Sequence, residues 1–212
     1  MNTFSVIVTG KNEEAHLAAC LRSVLAAAAE AGATEVLYVD AASTDRSVEI
    51  ARALGVRALA LRPTKSQRPA AARYVGLHHT TGELLMFVNG DTVLERQWLS
   101  RALAFFAAPE VAGVAGYLNR TDEANHSGPY KVTGQRLAGL GSNAVYRRAA
   151  LAESGPFDPR LYSESEAALA GRLRRSGWKL LRLPFPMGRQ PRSGPNLAAL
   201  WRAVCQRLAP SA

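Results

Sequence analysis

A short apolar run ends abruptly in small polar residues and one carboxylate in the stretch Phe87-Val88-Asn89-Gly90-Asp91-Thr92. A strand that ends in this way carries an oxygen ligand at its carboxyl end, where open α/β sheets bind their ligands. The small Asn89 side chain and the bare Gly90 backbone also permit a ligand to approach Asp91 closely. The stretch therefore predicts a ligand site at the edge of a sheet. A competing interpretation makes Asp91 only the N-cap of a helix predicted over residues 94–106.

An earlier predicted strand, residues 35–39, also ends in acidic residues, Asp40 and Asp45. Carboxyl ends of parallel strands meet at one edge, so we expect Asp40 and Asp91 to open onto a shared cleft. There Asp40 would accept hydrogen bonds from a base or ribose. One carboxylate together with a nucleotide diphosphate suits Mg²⁺ or Mn²⁺, which prefer oxygen ligands and keep several waters. Asp45 is interpreted as a helix-capping or structural residue.

Apolar strands alternate with helical patterns along the whole chain. The first strand is predicted at residues 4–8, with Asn12 as the cap of the helix that follows, and the last strand at residues 178–183. This alternation predicts an α/β fold with a doubly wound, mostly parallel central sheet flanked by helices. The prolines after Leu183 predict an extended tail over residues 184–196, followed by a C-terminal helix.

Length and composition fit a globular domain with a substantial core, since the chain has 212 residues and is 48% hydrophobic. No apolar run approaches the ~18–20 residues needed to cross a bilayer. The first residues lack the features of a secretory signal peptide. Cys20 and Cys205 lie far apart in sequence, which favours a reducing compartment over a disulfide framework. These features predict a cytoplasmic protein.

The net charge of +9 is compatible with nucleic acid, anionic lipid or a phosphate-bearing substrate. It is equally compatible with a bias in composition, because arginine is spread along the chain. The C-terminal third is densely basic and leads into a prolyl, amphipathic tail, which predicts peripheral contact with the inner face of a membrane. Net charge is the only feature that suggests a nucleic-acid partner, so we predict none.

Two acidic residues, Glu164 and Glu166, stand at the start of a predicted helix. They are either partners of the helix dipole or, for one of them, a general base within reach of an acceptor hydroxyl. His126 lies in the long polar segment 119–141 and is a weaker candidate metal ligand. The other histidines show no metal-ligand spacing, and His78 and His79 are interpreted as structural. No Walker loop, Ser-His-Asp set or zinc pattern is present.

The order of these motifs resembles the family 2 inverting glycosyltransferases of the GT-A fold. The resemblance covers residues 4–183 and rests on five segments: 6–14, 39–45, 87–92, 141–143 and Arg147. It implies transfer of a sugar from a nucleotide-sugar, most often UDP-linked, with inversion at the anomeric carbon. The acceptor would be a saccharide or a lipid-linked molecule, in assembly of a cell envelope or polysaccharide.

The resemblance also assigns residues to roles. The nucleotide would be held by Thr9, Glu13 and Asp40, and by Asn89-Gly90 at the place of the family's Asp-x-Asp motif. Asp91 would bind Mn²⁺ or Mg²⁺, and Lys65, Arg68 or Arg73 would stabilise the leaving diphosphate. The family's catalytic acidic pair falls on Ser165-Glu166, which makes Glu166 the general base.

The resemblance further implies a division of the chain into a glycosyltransferase domain, 1–183, and a Pro/Arg-rich tail, 184–212. Residues 1–118 would bind the nucleotide-sugar, and residues 119–183 would bind the acceptor and carry the base. The chain departs from the family pattern at Thr9, Lys11, Asn89 and Ser165. A degenerate module that binds a nucleotide-sugar without turnover therefore stays open. So does a nucleotidyltransferase on a similar scaffold, although that would want a basic loop in place of Glu13-Glu14.

Overall fold

Strands and helices alternate along the described part of the chain, which in this computed structural model comprises residues 3–33, 35–63, 69–120, 139–155, 157 and 166–191. The strands are β1 (Phe4–Gly10), β2 (Glu35–Asp40), β3 (Arg57–Ala60), β4 (Leu84–Asn89), β5 (Val93–Leu94), β6 (Val111–Arg120), β7 (Ala144–Arg147) and β8 (Lys179–Gln190). The α-helices are α1 (Leu17–Ala31), α2 (Ser47–Ala53), α3 (Pro69–His78), α4 (Trp98–Ala104), α5 (Arg148–Ser154) and α6 (Glu166–Arg175). The predictions for Lys65, Arg68, His126 and the chain from residue 192 lie outside the described residues.

The strands form one mixed sheet in the order β3-β2-β1-β4-β7-β6-β8-β5. Strands β3, β2, β1 and β4 are parallel, as the alternation of strands and helices predicts. Strand β7 lies between β4 and β6 and is antiparallel to both, and β5 is antiparallel to β8. The predicted α/β class is confirmed. The mostly parallel sheet is confirmed as well, since β6 and β8 also pair in parallel. The antiparallel pairs are those made by β5 and β7, which are too short for their sequences to indicate a direction.

Apolar side chains fill both faces of the sheet. In β1, Val6 and Val8 pack on the face covered by α1 and α4, whereas Ile7 packs on the opposite face, against α3. This division follows from the period of two in a strand, which sends successive side chains to opposite faces. The carboxyl end of β1 is therefore held between two layers of helices.

The first helix begins later than the sequence predicts. Helix α1 starts at Leu17, and His16 in the N-cap position makes no side-chain capping bond. Asn12 has a left-handed backbone, with φ 57°, and its side-chain oxygen accepts a 2.8 Å hydrogen bond from the Thr44 amide. The prediction that Asn12 caps this helix is wrong, because its side chain is hydrogen-bonded to the loop after β2 instead.

The last strand is longer than the prolines suggest. Strand β8 passes through Pro184 and Pro186 and continues to Gln190, so its predicted end at Leu183 is wrong. Strand β5 pairs with β8 only at residues 188–189, and the pairing of β8 with β6 shifts register around Tyr117. Prolines are tolerated at such irregular or unpaired positions because they have no N–H to donate. None of the described helices has the length and apolar character that a bilayer span requires.

Candidate active site

The carboxyl ends of β2, β1 and β4 meet side by side. Gly10 is paired with Asp40 on one side of β1, and Thr9 is paired with Asn89 on the other. The carbonyl of Thr9 also accepts a 2.8 Å hydrogen bond from the Gly90 amide, which extends the pairing beyond β4. The predicted strand-end residues therefore lie at one edge, as expected. Thr9 contributes to it through its backbone.

The side chain of Glu13 lies across this edge. A methyl group added at Gly10 would lie 2.7 Å from the Glu13 Cγ, and one added at Gly90 would lie 3.0 Å from it. Glycine at both positions thus leaves room for the Glu13 side chain. Burial, followed by the negative charges of Asp91 and Asp45, raises the pKa of Glu13 to about 7.

Asp40 stands at the predicted strand end, but its carboxylate is turned into the protein. Only 1% of the residue is exposed. Its oxygens accept hydrogen bonds from the Tyr38 hydroxyl at 2.9 Å, the Ser43 amide at 2.7 Å and the Ser43 hydroxyl at 2.5 Å. Asp40 and Asp91 therefore do not open together onto one cleft as predicted. Instead, Asp40 fixes the turn after β2, since donors within the protein satisfy its charge.

The loop after β1 is bound to the loop after β2. The backbone amides of Asn12 and Glu14 donate to the side chains of Ser43 and Asp45, at 2.8 Å and 2.9 Å. The amide of Glu13 likewise donates to the hydroxyl of Ser47, the first residue of α2. Three consecutive N–H groups of this loop are thus engaged within the protein.

Asp45 has the structural role that the sequence predicts. One of its oxygens accepts hydrogen bonds from the amide and hydroxyl of Ser47, and the other accepts from the Glu14 amide. Partial burial alone would raise the pKa of Asp45, but these hydrogen bonds together lower it below its usual value.

Asp91 lies beyond the end of β4 and contacts β8. Its two carboxylate oxygens accept hydrogen bonds from the Gln190 side-chain amide at 2.7 Å and 2.8 Å. Helix α4 begins only at Trp98, after β5, and Gln97 occupies its N-cap position. The competing interpretation of Asp91 as a helix cap is therefore wrong. Nothing in the sequence from Asn89 to Thr92 predicts the contact of Asp91 with Gln190.

The donor set around Asp91 suits only some cations. Within the described ranges, no group of three or more histidine, cysteine or acidic side chains is arranged to hold a metal ion. Mg²⁺ and Mn²⁺, however, are commonly bound by one or two carboxylates together with substrate phosphates and water. Asp91 fits a cation of that kind, which takes most of its ligands from a diphosphate.

Glu166 begins α6 and faces two polar groups of other segments. Its Oε1 accepts a 2.8 Å hydrogen bond from the Ser142 hydroxyl and lies 3.7 Å from the Arg73 Nη1. The Glu166 side chain is 32% exposed, whereas that of Arg73 is only 11% exposed. A carboxylate held in this way is partly open to solvent on a fixed support, which suits proton transfer.

Arg73 is buried beside Glu166. Burial lowers the pKa of Arg73, and the charge of Glu166 acts in the opposite direction. The guanidinium carbon also lies 5.6 Å from the centre of the Phe157 ring, a cation–π distance. The structure thus places Arg73 against the predicted base, while its contact with a nucleotide stays a prediction.

Two further contacts tie the segment that carries Ser142 to the sheet. The side-chain oxygen of buried Asn143 accepts a 2.8 Å hydrogen bond from the Asn89 amide. Arg182, on β8, donates to the Gly139 carbonyl at 2.9 Å, close to the start of the segment that carries Ser142. The motif 141–143 was recognised in the sequence, but which partners its side chains bind was not readable there.

Comparison with known proteins assigns the fold. A family model described as Glycosyl transferase family 2 matches residues 5–155. Glycosyltransferase AglE of Haloferax volcanii is 27% identical over 190 residues, which are 83% of this chain and 62% of AglE. The chain thus spans less than two thirds of this relative.

Two solved structures have the same fold at low identity. The crystal structure of Staphylococcus aureus TarS 1–349 in complex with UDP-GlcNAc has a TM-score of 0.76 and 21% identity, over 93% of this chain and 61% of that one. The mannosyltransferase PcManGT from Pyrobaculum calidifontis, in complex with GDP-Man and Mn²⁺, has a TM-score of 0.74 and 19% identity, over 100% of this chain and 66% of that one. These likenesses confirm the predicted GT-A-type fold.

Proposed function

This chain belongs to glycosyl transferase family 2, and we propose that it transfers a sugar from a nucleotide-diphosphate sugar to an acceptor hydroxyl with inversion at the anomeric carbon. The observation that carries the proposal is the linkage between Asp91 and Glu166. Asn89 and Asn143 join the strand end before Asp91 to the segment whose Ser142 donates to Glu166. A donor-binding carboxylate and a base on one connected frame are what direct displacement needs.

Glu166 is the proposed general base. It removes the proton from the acceptor hydroxyl as that oxygen attacks the anomeric carbon and the bond to the nucleotide diphosphate breaks. Ser142 and Arg73 both contact Oε1 of the Glu166 carboxylate and hold it in place. Positioned general-base assistance typically contributes about 10²–10⁴-fold to a rate.

Asp91 is the proposed ligand of a divalent cation, Mn²⁺ or Mg²⁺. A cation bound there would offset the negative charge that builds on the departing diphosphate. The cation-bound neighbour PcManGT supports this assignment by its fold. Lys65 and Arg68 are proposed to contribute positive charge to the same group.

The donor is proposed to be UDP-linked, in keeping with the UDP-GlcNAc complex of TarS, although PcManGT binds GDP-Man. Asp40 is proposed to serve the nucleotide indirectly, by fixing the turn that contains Ser43. We further propose a saccharide or lipid-linked acceptor and a cytoplasmic location, with the basic C-terminal region in contact with a membrane surface.

A donor panel tests this function. UDP-, GDP- and dTDP-sugars would be incubated with the full chain, with and without Mn²⁺, and the released nucleoside diphosphate would be measured. We expect release from one class, dependent on the cation and lost in Glu166→Gln. Binding of a donor without any release would instead identify a non-catalytic module, and release of pyrophosphate from a nucleoside triphosphate would identify a nucleotidyltransferase.

Binding of the donor is measured separately by thermal shift. A ligand present at 100 times its dissociation constant stabilises the folded protein by roughly 2.7 kcal/mol. No shift with any donor, at any cation concentration, would contradict the proposal at its first step.

A further inference from the structure

The side-chain amide of Gln190 covers one face of the Asp91 carboxylate. Its Nε2 lies 2.7 Å from one carboxylate oxygen and 2.8 Å from the other. A nitrogen nearly equidistant from both oxygens occupies the position from which a cation would bind the carboxylate in a bidentate manner.

The position of Gln190 is set by strand pairing. Strand β5, which begins after Thr92, pairs with β8 so that Val93 lies opposite Arg189 and Leu94 opposite Gly188. A methyl group added at Gly188 would lie only 2.5 Å from the Val93 carbonyl oxygen, so the two backbones approach closely there. On its other side Gln190 is paired with Arg120 of β6.

An amide N–H and a cation compete for the same lone pairs. The amide directs the positive ends of its N–H bonds at the oxygens, and a cation placed there would be repelled by them. A half-turn of the amide about its last side-chain bond, or movement of the side chain, is required before a cation can take that face. The amide meanwhile stabilises a carboxylate that lies close to a second acidic group, Glu13.

We propose that Gln190 occupies the cation-binding face of Asp91 in the resting protein, and that a divalent cation binds there only after the Gln190 amide turns away. The inference rests on the proposed function, in which Asp91 is the cation ligand. Gln190 is a positioning residue by this account: it keeps Asp91 oriented and weakens binding of the free cation.

The test measures Mn²⁺ affinity of the full chain directly, from the EPR signal of the free ion, with and without UDP. The variant Gln190→Met keeps the length of the side chain and removes its N–H donors. We expect it to bind Mn²⁺ about tenfold more tightly than the unmodified protein, since a hydrogen bond to a charged group no longer competes. Asp91→Asn should bind Mn²⁺ more weakly than either.

The matched control is Gln97→Ala. Gln97 accepts a hydrogen bond from Arg101 on the exposed start of α4 and has no contact with Asp91. Its Mn²⁺ affinity should equal that of the unmodified protein. A second readout is thermal unfolding: Gln190→Met should unfold at a lower temperature than the unmodified protein in EDTA, yet gain more from added Mn²⁺.

Equal or weaker Mn²⁺ binding by a folded Gln190→Met variant would overturn the inference, and so would the absence of Mn²⁺ binding by both proteins. If Gln190→Met does not fold, Gln190→Ala is read by the same criteria. The readouts separate this inference from the proposed function. If nucleoside diphosphate release depends on Glu166 but Gln190→Met does not change Mn²⁺ affinity, the proposed function is supported and the inference is not. If Gln190→Met binds Mn²⁺ more tightly but no nucleoside diphosphate is released, the inference is supported and the function is not.

Discussion

The backbone amide of Asn89 donates a 2.8 Å hydrogen bond to the side-chain oxygen of Asn143, and Asn143 is only 3% exposed. This contact joins the end of β4, which leads into Asp91, to the segment that leads into β7. The two halves of the candidate active site are therefore linked by one buried side chain.

Replacement of Asn143 by alanine would leave the Asn89 amide without its acceptor. We expect a loss of about 1–3 kcal/mol in the free energy of unfolding, the cost of an unsatisfied buried donor, measured by urea denaturation. Asn119 is exposed at the end of β6, so Asn119→Ala should stay within about 0.5 kcal/mol of the unmodified protein. Equal stability of the two variants would show that the linkage is dispensable.

Replacement of Glu166 by glutamine removes the proposed base and keeps its shape. Turnover should fall by about 10²–10⁴-fold, with donor affinity unchanged. The assay is release of nucleoside diphosphate, with donor affinity taken from thermal shifts. Glu110→Gln is a suitable control, because Glu110 only pairs with exposed Lys179. Undiminished turnover in Glu166→Gln would remove Glu166 from the role of base.

Replacement of Ser142 by alanine removes the hydroxyl that donates to Glu166 Oε1 at 2.8 Å. The carboxylate would then be less well oriented, and we expect kcat to fall by about tenfold with the KM of the donor unchanged. Ser154→Ala provides the comparison, since the Ser154 hydroxyl is buried with no hydrogen-bond partner in the described structure. A change in KM alone would argue that Ser142 contacts the donor instead.

The stability of the cation-free protein should depend on pH through Glu13. Burial, with Asp91 and Asp45 adding to it, raises the pKa of Glu13 from 4.5 to about 7, so the folded state holds its proton longer than the unfolded state. Stability therefore falls as the pH rises from about 4.5 to 7 and levels off above that range. Chemical denaturation in EDTA across this range measures the slope, which Glu13→Gln should reduce.

The neighbouring Glu14 gives an internal comparison of opposite sign. Its hydrogen bonds with Arg46 lower the pKa of Glu14 below 4.5. The stability it contributes is present above pH 4.5 and is lost on acidification. Glu14→Gln should thus alter the acid limb of the profile and leave the slope between pH 4.5 and 7 in place. If the pH profiles of stability of both variants are the same as that of the unmodified protein, neither carboxyl group is coupled to folding.

The sequence predicts the frame of this site better than its contacts. The sequence places Asp91 and Asp40 correctly at one edge of the sheet. The alternation of residues along a strand and the polar residues at its end are local properties that can be read directly. The direction of the Asp40 side chain was missed. It depends on Tyr38 and on the turn at Ser43, which together supply enough donors to bury the charge.

Gln190 was missed for a different reason. Prolines at 184 and 186 indicate the end of a sheet when read alone, but β8 continues past them because it pairs with β6 as far as Gln190. A contact between residues 91 and 190 is set by the register of β5 and β8, and neither segment carries a pattern that specifies the other.

The interlocked loops after β1 and β2 constrain how this protein can be re-engineered. Amides of the first loop are matched to side chains of the second, and the Thr44 amide is matched in return to Asn12. Replacing either loop alone by one from another protein would leave backbone N–H groups without hydrogen-bond acceptors. A change at this end of the sheet thus calls for transplanting residues 11–16 and 41–47 together.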